Sequence, residues 1–556
     1  MTGFLGFAQL CQKVEGVSGS LEKIELVAAF LNGLEDSELA VASNFVMGVV
    51  FSASSELVMG VGPSILYEAL LRSCGCPAEQ ISEMLRSTGD PGLVAAGVVE
   101  KRRPIGFAAF MGEMQLSIMD VYQRFLAIAR ASGKRSQDAK VKNLQFLFSG
   151  ASALEAQYIA RLAIEDMRIG VGEGGVRDSI ARAFSRDAED VERAYNLTSD
   201  MGLVAIAARK GTLLELGVML NHPIKMMLAQ LGEGIPSALD ELGIAAIEWK
   251  YDGARVQIHK DKEMVRIFSR RLENVTASLP EIVRAARQIR AESAILDGEV
   301  VAIGKDGRPM AFQEILKRFR RKYNVEKLAQ QIPLHLFLFD IIYLDGRSVV
   351  DLPLTERRSL LENICDPTIL APQVLSGNPD TAGEIYRRAL VAGHEGLMLK
   401  NPSSIYAPGK RGKNWLKIKP VMETLDLAVI GAKWGEGRRA SFLGSYRLGC
   451  MDQETGKILD VGWVATGLTD YALAEMTEMF RDLIIVQKGM EVELKAAVIF
   501  EVAYEEIQKS PNYSSGYALR FPRLVRVRDD KSLEEADTLE RLVSLYRGQR
   551  GRGNSA

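Results

Sequence analysis

The sequence predicts a multidomain chain: an all-α N-terminal domain, a mixed α/β central domain and a small C-terminal β-barrel. Three observations carry that reading. Apolar residues recur with helical period through the first 215 positions, two-residue alternation begins near His222, and short strand-like runs separated by glycine-rich turns follow Val421. At 556 residues the chain is long enough for three or four domains, each burying its own core.

In residues 1–215, Leu21, Ile24, Ala28 and Leu31 form one apolar stripe. Val121, Phe125, Ile128 and Ala129 form another, with Gly133 as a stop signal. Ser152 followed by Glu155 predicts a capping box opening a helix that turns Leu154, Tyr158 and Leu162 inward. The unusual loop here is Gly170-Val171-Gly172-Glu173-Gly174-Gly175. Glycines before a helix either end the preceding turn or let backbone N–H groups approach a phosphate.

Across residues 216–420 the pattern alternates. Val256 and Ile258, a turn at Asp261-Lys262, then Val265 and Ile267 predict a β-hairpin. Ala294-Ile295-Leu296 and Leu336-Phe337-Leu338-Phe339 predict further strands. In residues 421–556, Leu427–Ile430, Phe500–Tyr504 and Leu524–Val527 predict the strands of the barrel. The tail Arg547–Gly553 reads as a basic extension able to add weak nucleic-acid affinity.

Composition narrows the function. Apolar content of 47% with 25% charged residues is that of an ordinary soluble protein. The segment Met1–Gly6 carries no basic leader before an apolar run. Apolar runs such as Leu334–Leu344 are short and carry His335 and Asp340. No secretion signal or membrane span is expected, and the expected location is the cytoplasm. Five irregularly spaced cysteines, with Cys74-Gly75-Cys76 wrongly spaced for a zinc knuckle, argue against a structural zinc. At a net charge of −2, a protein that binds a polyanion must segregate its cations. Lys317–Lys322, Arg266–Arg271 and Lys410–Lys419 are such clusters. Each alone is an ordinary solvated face; together they predict a phosphate-lined groove.

Five ordered clusters carry chemistry. Glu248-Trp249-Lys250-Tyr251-Asp252-Gly253-Ala254-Arg255 sets one lysine among an acid, a glycine turn and an arginine. Leu296-Asp297-Gly298-Glu299, Phe339-Asp340, Glu395–Lys400 and Trp415-Leu416-Lys417-Ile418-Lys419-Pro420 follow in order. Lys-x-Asp-Gly alone is a weak signal; the ordered set is a strong one. An unperturbed lysine, with a pKa of about 10.4, is protonated at neutral pH. Desolvation and nearby cations favour the nucleophilic neutral amine, and Arg255, Lys417 and Lys419 are suited to supply them. Attack by Lys250 on a nucleotide α-phosphate would form a phosphoramidate and expel pyrophosphate. Its P–N bond is labile enough to pass the nucleotidyl group onward. Lys417 and Lys419, two apart, share one face of a strand, placed to neutralise the α-phosphate.

This ordered set resembles the ATP-dependent DNA ligases of the covalent nucleotidyltransferase superfamily, most closely the replicative type found in archaea. The resemblance runs over nearly the whole chain, to Arg520-Phe521-Pro522-Arg523 and Arg528-Asp529-Asp530-Lys531. It implies a helical DNA-binding domain at 1–215, an ATP-grasp-like adenylation domain at 216–420 and an OB-fold at 421–556. Lys250 would take AMP from ATP and the AMP would pass to the 5′-phosphate of a DNA nick. The 3′-hydroxyl would then displace it, in replication, repair and recombination.

The resemblance also implies residue roles. Glu248 would accept a hydrogen bond from the adenine amino group, Phe339 would stack on the ring, and Glu299 would bind ribose and lie near metal. Arg270 matches an arginine of the ribose and the nick phosphate, and Arg411 a further nucleotide contact. Glu395 would anchor a divalent ion, Mg²⁺ or Mn²⁺, with Asp297 and Asp340 as weaker candidates. Arg528 and Lys531 would orient the pyrophosphate. The expected partner is nicked double-stranded DNA, met by a monomer with no membrane attachment. The segment Arg102–Phe110, which lacks the usual glutamine, stands where relatives dock a sliding clamp; its plain alternative is an interhelical loop. Rival functions are an RNA ligase or a capping guanylyltransferase, the large helical region arguing against capping, and a non-catalytic DNA clamp, against which the complete motifs argue. An NAD-dependent ligase would carry the cysteine-rich zinc modules this chain lacks.

Overall fold

The computed structural model describes residues 2–101, 115–133, 135–304, 307–310, 312–319, 325–420, 424–435, 439, 441–465 and 469–549. Contacts divide the chain into two compact units, Met1–Ala389 with Leu397–Ile418, and Leu390–Gly396 with Lys419–Ala556.

The first unit opens with a succession of short helices, from Phe4–Gly16 to Met201–Lys210. Local chemistry sets their ends. The Ser152 hydroxyl accepts from the Glu155 N–H, and the Glu155 carboxylate accepts from the Ser152 N–H, so two otherwise unpaired donors are satisfied at the start of Ala153–Ala163. That helix buries Tyr158 and Leu162 and packs Leu154 against the same core. Ile118–Arg130 buries Val121, Phe125 and Ile128, as the apolar stripe requires. In Ser20–Asn32 the stripe is displaced. Leu21 is 80% exposed, because it lies in the first turn while the helix packs through Val27, Ala28 and Leu31. Gly75 takes a left-handed φ of 63° to stop the helix Pro63–Cys74, which accounts for the Cys-Gly-Cys run as a helix end.

Two antiparallel-rich sheets follow. Their strands are β1 (Leu228–Leu231), β2 (Ala245–Lys250), β3 (Ala254–Asp261), β4 (Met264–Ser269), β5 (Ser293–Ala302), β6 (Leu334–Leu344), β7 (Arg347–Ser348), β8 (Gln373–Ser376), β9 (Gly396–Lys400) and β10 (Arg411–Ile418). One sheet has the order β1-β10-β9-β2-β8, the other β4-β3-β5-β6-β7. The expected hairpin is β3–β4, turning at Lys262 with φ 52°. Leu197, from the last turn of the helix Ala188–Thr198, packs into the same core cluster as Tyr251, Phe339 and Trp415.

The second unit is strand-rich: β11 (Thr424–Trp434), β12 (Leu443–Met451), β13 (Ile458–Val464), β14 (Ile484–Lys488), β15 (Glu491–Leu494), β16 (Ile499–Ala503), β17 (Glu506–Lys509), β18 (Tyr517–Arg520) and β19 (Arg523–Arg528). β13-β12-β11-β15-β14 is the sheet order, with β16 bridging β11 to β19. Tyr446, Phe480 and Phe500 meet at its core with ring centroids 5.1–6.0 Å apart. Among the described residues no helix is long and apolar enough to cross a membrane.

Candidate active site

Lys250 is the last residue of β2, where the chain leaves one sheet to enter the other at β3. The crossing is tight. A Cβ on Gly253 would lie 2.7 Å from Glu299 Cγ and 2.7 Å from the Val300 carbonyl oxygen, so only glycine fits. The lysine's own turn is thereby pressed against the strand that carries Glu299. Beside it, Tyr251 stacks on Phe337 with centroids 4.2 Å apart and planes at 12°, fixing the bend.

Two residues before Lys250, Glu248 is buried, with one partner on each carboxylate oxygen. Its carboxylate accepts from Gln373 Nε2 at 2.7 Å and lies 2.6 Å from Lys400 Nζ. Lys400, only 1% exposed, also sits over the Phe339 ring at 4.4 Å and the Trp415 ring at 4.5 Å. Phe339 and Trp415 meet edge to face at 6.2 Å, and the Arg255 guanidinium approaches the same two rings. The result is an aromatic pair flanked by two cations and one acid. Lys400 and Trp415 stood inside recognised clusters, yet sequence reasoning gave them no role. Their signal was position alone, since the Glu248 partner is 152 residues away.

Arg255, its side chain 15% exposed, is bound in a fork to Asp297, at 2.9 and 2.5 Å, and it donates to the Met227 carbonyl at 2.6 Å. Although burial opposes its charge, Asp297 holds the guanidinium firmly protonated. Tyr406 completes the network: its hydroxyl donates to Asp297 at 2.7 Å and accepts from the Met227 N–H at 3.1 Å. Burial, and then Asp297, keep that phenol protonated. Asp340 is likewise clasped by Arg357, at 2.7 and 2.9 Å, with both side chains fully buried. Asp297 and Asp340 thus spend their charge on guanidinium partners, the structural use of a buried carboxylate. Because Asp297 balances Arg255, that arginine is a poor source of net positive charge for Lys250.

The remaining candidates lie further out. Arg270 is exposed in the Ser269–Glu273 turn, where Leu272 takes φ 64°. Arg411 is exposed at the start of β10, and Lys417 is half-buried near its end, paired in register with Met398. Lys419 follows the strand. Glu395 lies 2.6 Å from its amine and Glu505 3.2 Å, and although burial opposes the charge, these two carboxylates raise the Lys419 pKa. Gly172 precedes the helix Glu173–Phe184 with no side-chain cap. Glu173 at that helix start binds Lys225 at 2.8 Å and accepts from Tyr195 at 3.2 Å.

In the basic cluster Lys317–Lys322, Arg320, Arg321 and Lys322 lie outside the described residues, and Arg318 departs from the expected phosphate contact. Arg318 is fully buried and donates to the Ile332 and Ser278 carbonyls and to Glu281, while Lys317 pairs with Glu314. Arg318 is a core brace unavailable to phosphate, because helix Phe312–Phe319 turns it inward. The segment Arg102–Phe110 lies outside the described residues.

In the second unit, Arg528 and Lys531 converge on one acid that sequence reasoning passed over. Asp426 accepts from Arg528 at 3.0 and 3.1 Å and from Lys531 at 2.7 Å. Asp530 forks onto Arg528 at 2.8 Å on both oxygens, and that pairing holds its carboxyl well below the usual range.

A family model described as "ATP dependent DNA ligase domain" matches residues 226–419. "DNA ligase N terminus" matches 3–181, and "ATP dependent DNA ligase C terminal region" matches 439–531. The DNA ligase of Methanothrix thermoacetophila is 63% identical over 553 residues, covering 99% of this chain and all of that protein. The DNA ligase of Archaeoglobus fulgidus is 48% identical, covering 98% of this chain and 99% of its own length. In the solved structures, Pmar-Lig_PreS3 aligns over 94% of this chain and 99% of that one, with a TM-score of 0.56 at 18% identity, a likeness of fold.

Proposed function

This chain belongs to the ATP-dependent DNA ligase family, and on that premise we propose that Lys250 is the residue that carries AMP. A DNA ligase of this family uses ATP and a divalent metal to rejoin nicked DNA. It does so through a lysyl adenylate and then a DNA adenylate. In the first step the Lys250 amine attacks the α-phosphorus of ATP, a P–N bond forms, and pyrophosphate departs. The nick 5′-phosphate then attacks the same phosphorus and frees the lysine. Last, the 3′-hydroxyl attacks the activated 5′-phosphate, and AMP leaves.

The observation that carries the assignment is the sheet crossing: the glycine turn after Lys250 lies directly against Glu299. Around it we assign Glu248 to the adenine amino group. Lys400 and Gln373 each take one of its oxygens, which leaves lone pairs on a carboxylate that accepts about four hydrogen bonds. Phe339 supplies an aromatic face, with Lys400 over it. Arg270, Arg411 and Lys417 are the cations given to ribose and phosphate. Arg255 acts through Asp297, holding β3 against β5.

For the metal we assign Glu299 and Glu395. Among the described residues no three His, Cys, Asp or Glu side chains gather into a cage. An ion held by one or two carboxylates takes its other ligands from phosphate and water, the coordination Mg²⁺ prefers and Mn²⁺ accepts. Bound there, it would offset the charge that builds on the phosphates. Glu395 now neutralises Lys419, so loading the ion would release that amine towards phosphate. We further assign Arg528 and Lys531 to the leaving pyrophosphate, the cytoplasm as the location and a monomer as the working form. A sliding clamp is assigned to the Arg102–Phe110 segment; clamp binding that survives Phe107→Ala/Phe110→Ala excludes that site.

The assignment of Lys250 is tested with labelled ATP. Lys250→Ala is expected to acquire no label yet to seal a nick supplied already adenylated. Label retained by the variant defeats the proposal.

A further inference from the structure

β11, β16 and β19 lie side by side, and their register sets Asp426 opposite Glu501 and Glu501 opposite Arg526. Paired residues of antiparallel strands share a face, and so do residues two apart. Arg528 therefore joins Asp426, Glu501 and Arg526 on one side of the sheet. Charges alternate across it. Arg526 donates to Glu501 at 2.7 Å, Glu501 also accepts from Thr424 at 2.9 Å, and Arg528 and Lys531 both donate to Asp426.

Asp426 is the node of this network and is itself pinned. Its backbone N–H donates to Asp537 Oδ2 at 2.8 Å, and the Asp537 N–H donates to the Asp426 carbonyl at 2.7 Å. Those two backbone ties fasten the segment after β19 to the start of β11 without using the Asp426 carboxylate. That side chain is left wholly for Arg528 and Lys531. Two long cationic side chains placed together repel each other and each loses rotamer freedom when ordered. A carboxylate between them offsets the repulsion and orders both before any anion arrives.

We infer that Asp426 is a positioning residue for pyrophosphate release, holding Arg528 and Lys531 side by side so that the leaving group meets them already ordered. The inference rests on the assignment of those two cations to pyrophosphate made above. It bears on one step only, in both directions. In reverse, a pyrophosphate oxygen attacks the phosphorus of the lysyl adenylate, the P–N bond breaks, ATP leaves and the lysine nitrogen takes up a proton. Sealing of a nick that is already adenylated involves no pyrophosphate.

Full-length Asp426→Asn, Asp426→Glu, Arg528→Ala/Lys531→Ala and the triple variant with Asp426→Asn are compared in three assays. These are single-turnover labelling by ATP, discharge of the labelled enzyme by added pyrophosphate, and sealing of a pre-adenylated nicked duplex. Asn keeps the backbone ties and removes the charge. For Asp426→Asn, labelling is expected to slow and the KM for pyrophosphate to rise, each by about tenfold relative to sealing, the scale typical of losing a partner that orients a functional group. Asp426→Glu should recover part of the loss. The triple variant should be no worse than the double, because Asp426 acts through the two cations. Equal loss of labelling and sealing in Asp426→Asn, or full additivity in the triple variant, overturns the inference. Normal labelling by Arg528→Ala/Lys531→Ala overturns instead the assignment beneath it, and the inference with it.

Discussion

At the scale of single residues, the site is organised by what is missing from Gly253 and by what Glu248 holds. A methyl group at Gly253 would meet the Val300 backbone as well as the flexible Glu299 side chain, and backbone does not yield cheaply. Gly253→Ala is expected to displace the Lys250 turn and slow labelling by ATP by about a hundredfold, the cost of misplacing a reacting group by about 1 Å. A rate near that of the unchanged protein would show that the contact does not position the lysine. Lys250 and Gly253 were legible in the sequence because both stand in one short cluster. The Lys400–Glu248 pair was not, and neither was Asp426, because contacts spanning more than a hundred residues leave no local signature. Residue type names a candidate; only the fold supplies its partner.

Secondary-structure elements were the most legible level. The capping box at Ser152 and the β3–β4 hairpin follow from local chemistry, since cap and turn each close within a few residues. Leu21 departs from its stripe because periodicity marks a face and says nothing about how far along the helix a neighbour reaches. β3 also carries a hidden titration. His259 is buried, accepts the Asn221 N–H at Nδ1 at 3.0 Å and meets Gln257 Oε1 through Nε2 at 2.9 Å, so the neutral ring fills both positions. Burial, helped by His222 and Arg266, pushes its pKa down to about 3. A His with a depressed folded pKa stabilises fully above the unfolded value near 6.5, and that contribution drains as pH falls towards 3. Denaturant unfolding should therefore lose up to about 1.4 kcal/mol per pH unit below 6.5 from this group, and His259→Asn should flatten the slope. An unchanged slope in that variant would place the titration elsewhere.

At the scale of the molecule, a net charge of −2 is reconciled with DNA binding by pairing cations internally. Within the first unit, Arg266 binds Glu56 at 2.8 Å and Lys410 binds Glu192 at 3.1 Å, both partners coming from the helical region. The sequence showed the basic clusters but not the acids that hold them. These pairs are partly exposed, and such pairs contribute at most about 1 kcal/mol, so a phosphate can replace the acid. Glu56→Gln/Glu192→Gln is expected to tighten binding to nicked duplex by up to about fivefold at low salt and less at high salt. Weaker binding would mean that the acids organise the DNA surface instead of shielding it.

The account depends above all on where the nucleotide is held. Incubating the protein with ATP and a divalent metal, digesting it and sequencing the peptides by mass spectrometry reads this directly. An AMP adduct on Lys250 is the result expected. An adduct on any other side chain, with the Lys250 peptide unmodified, contradicts it.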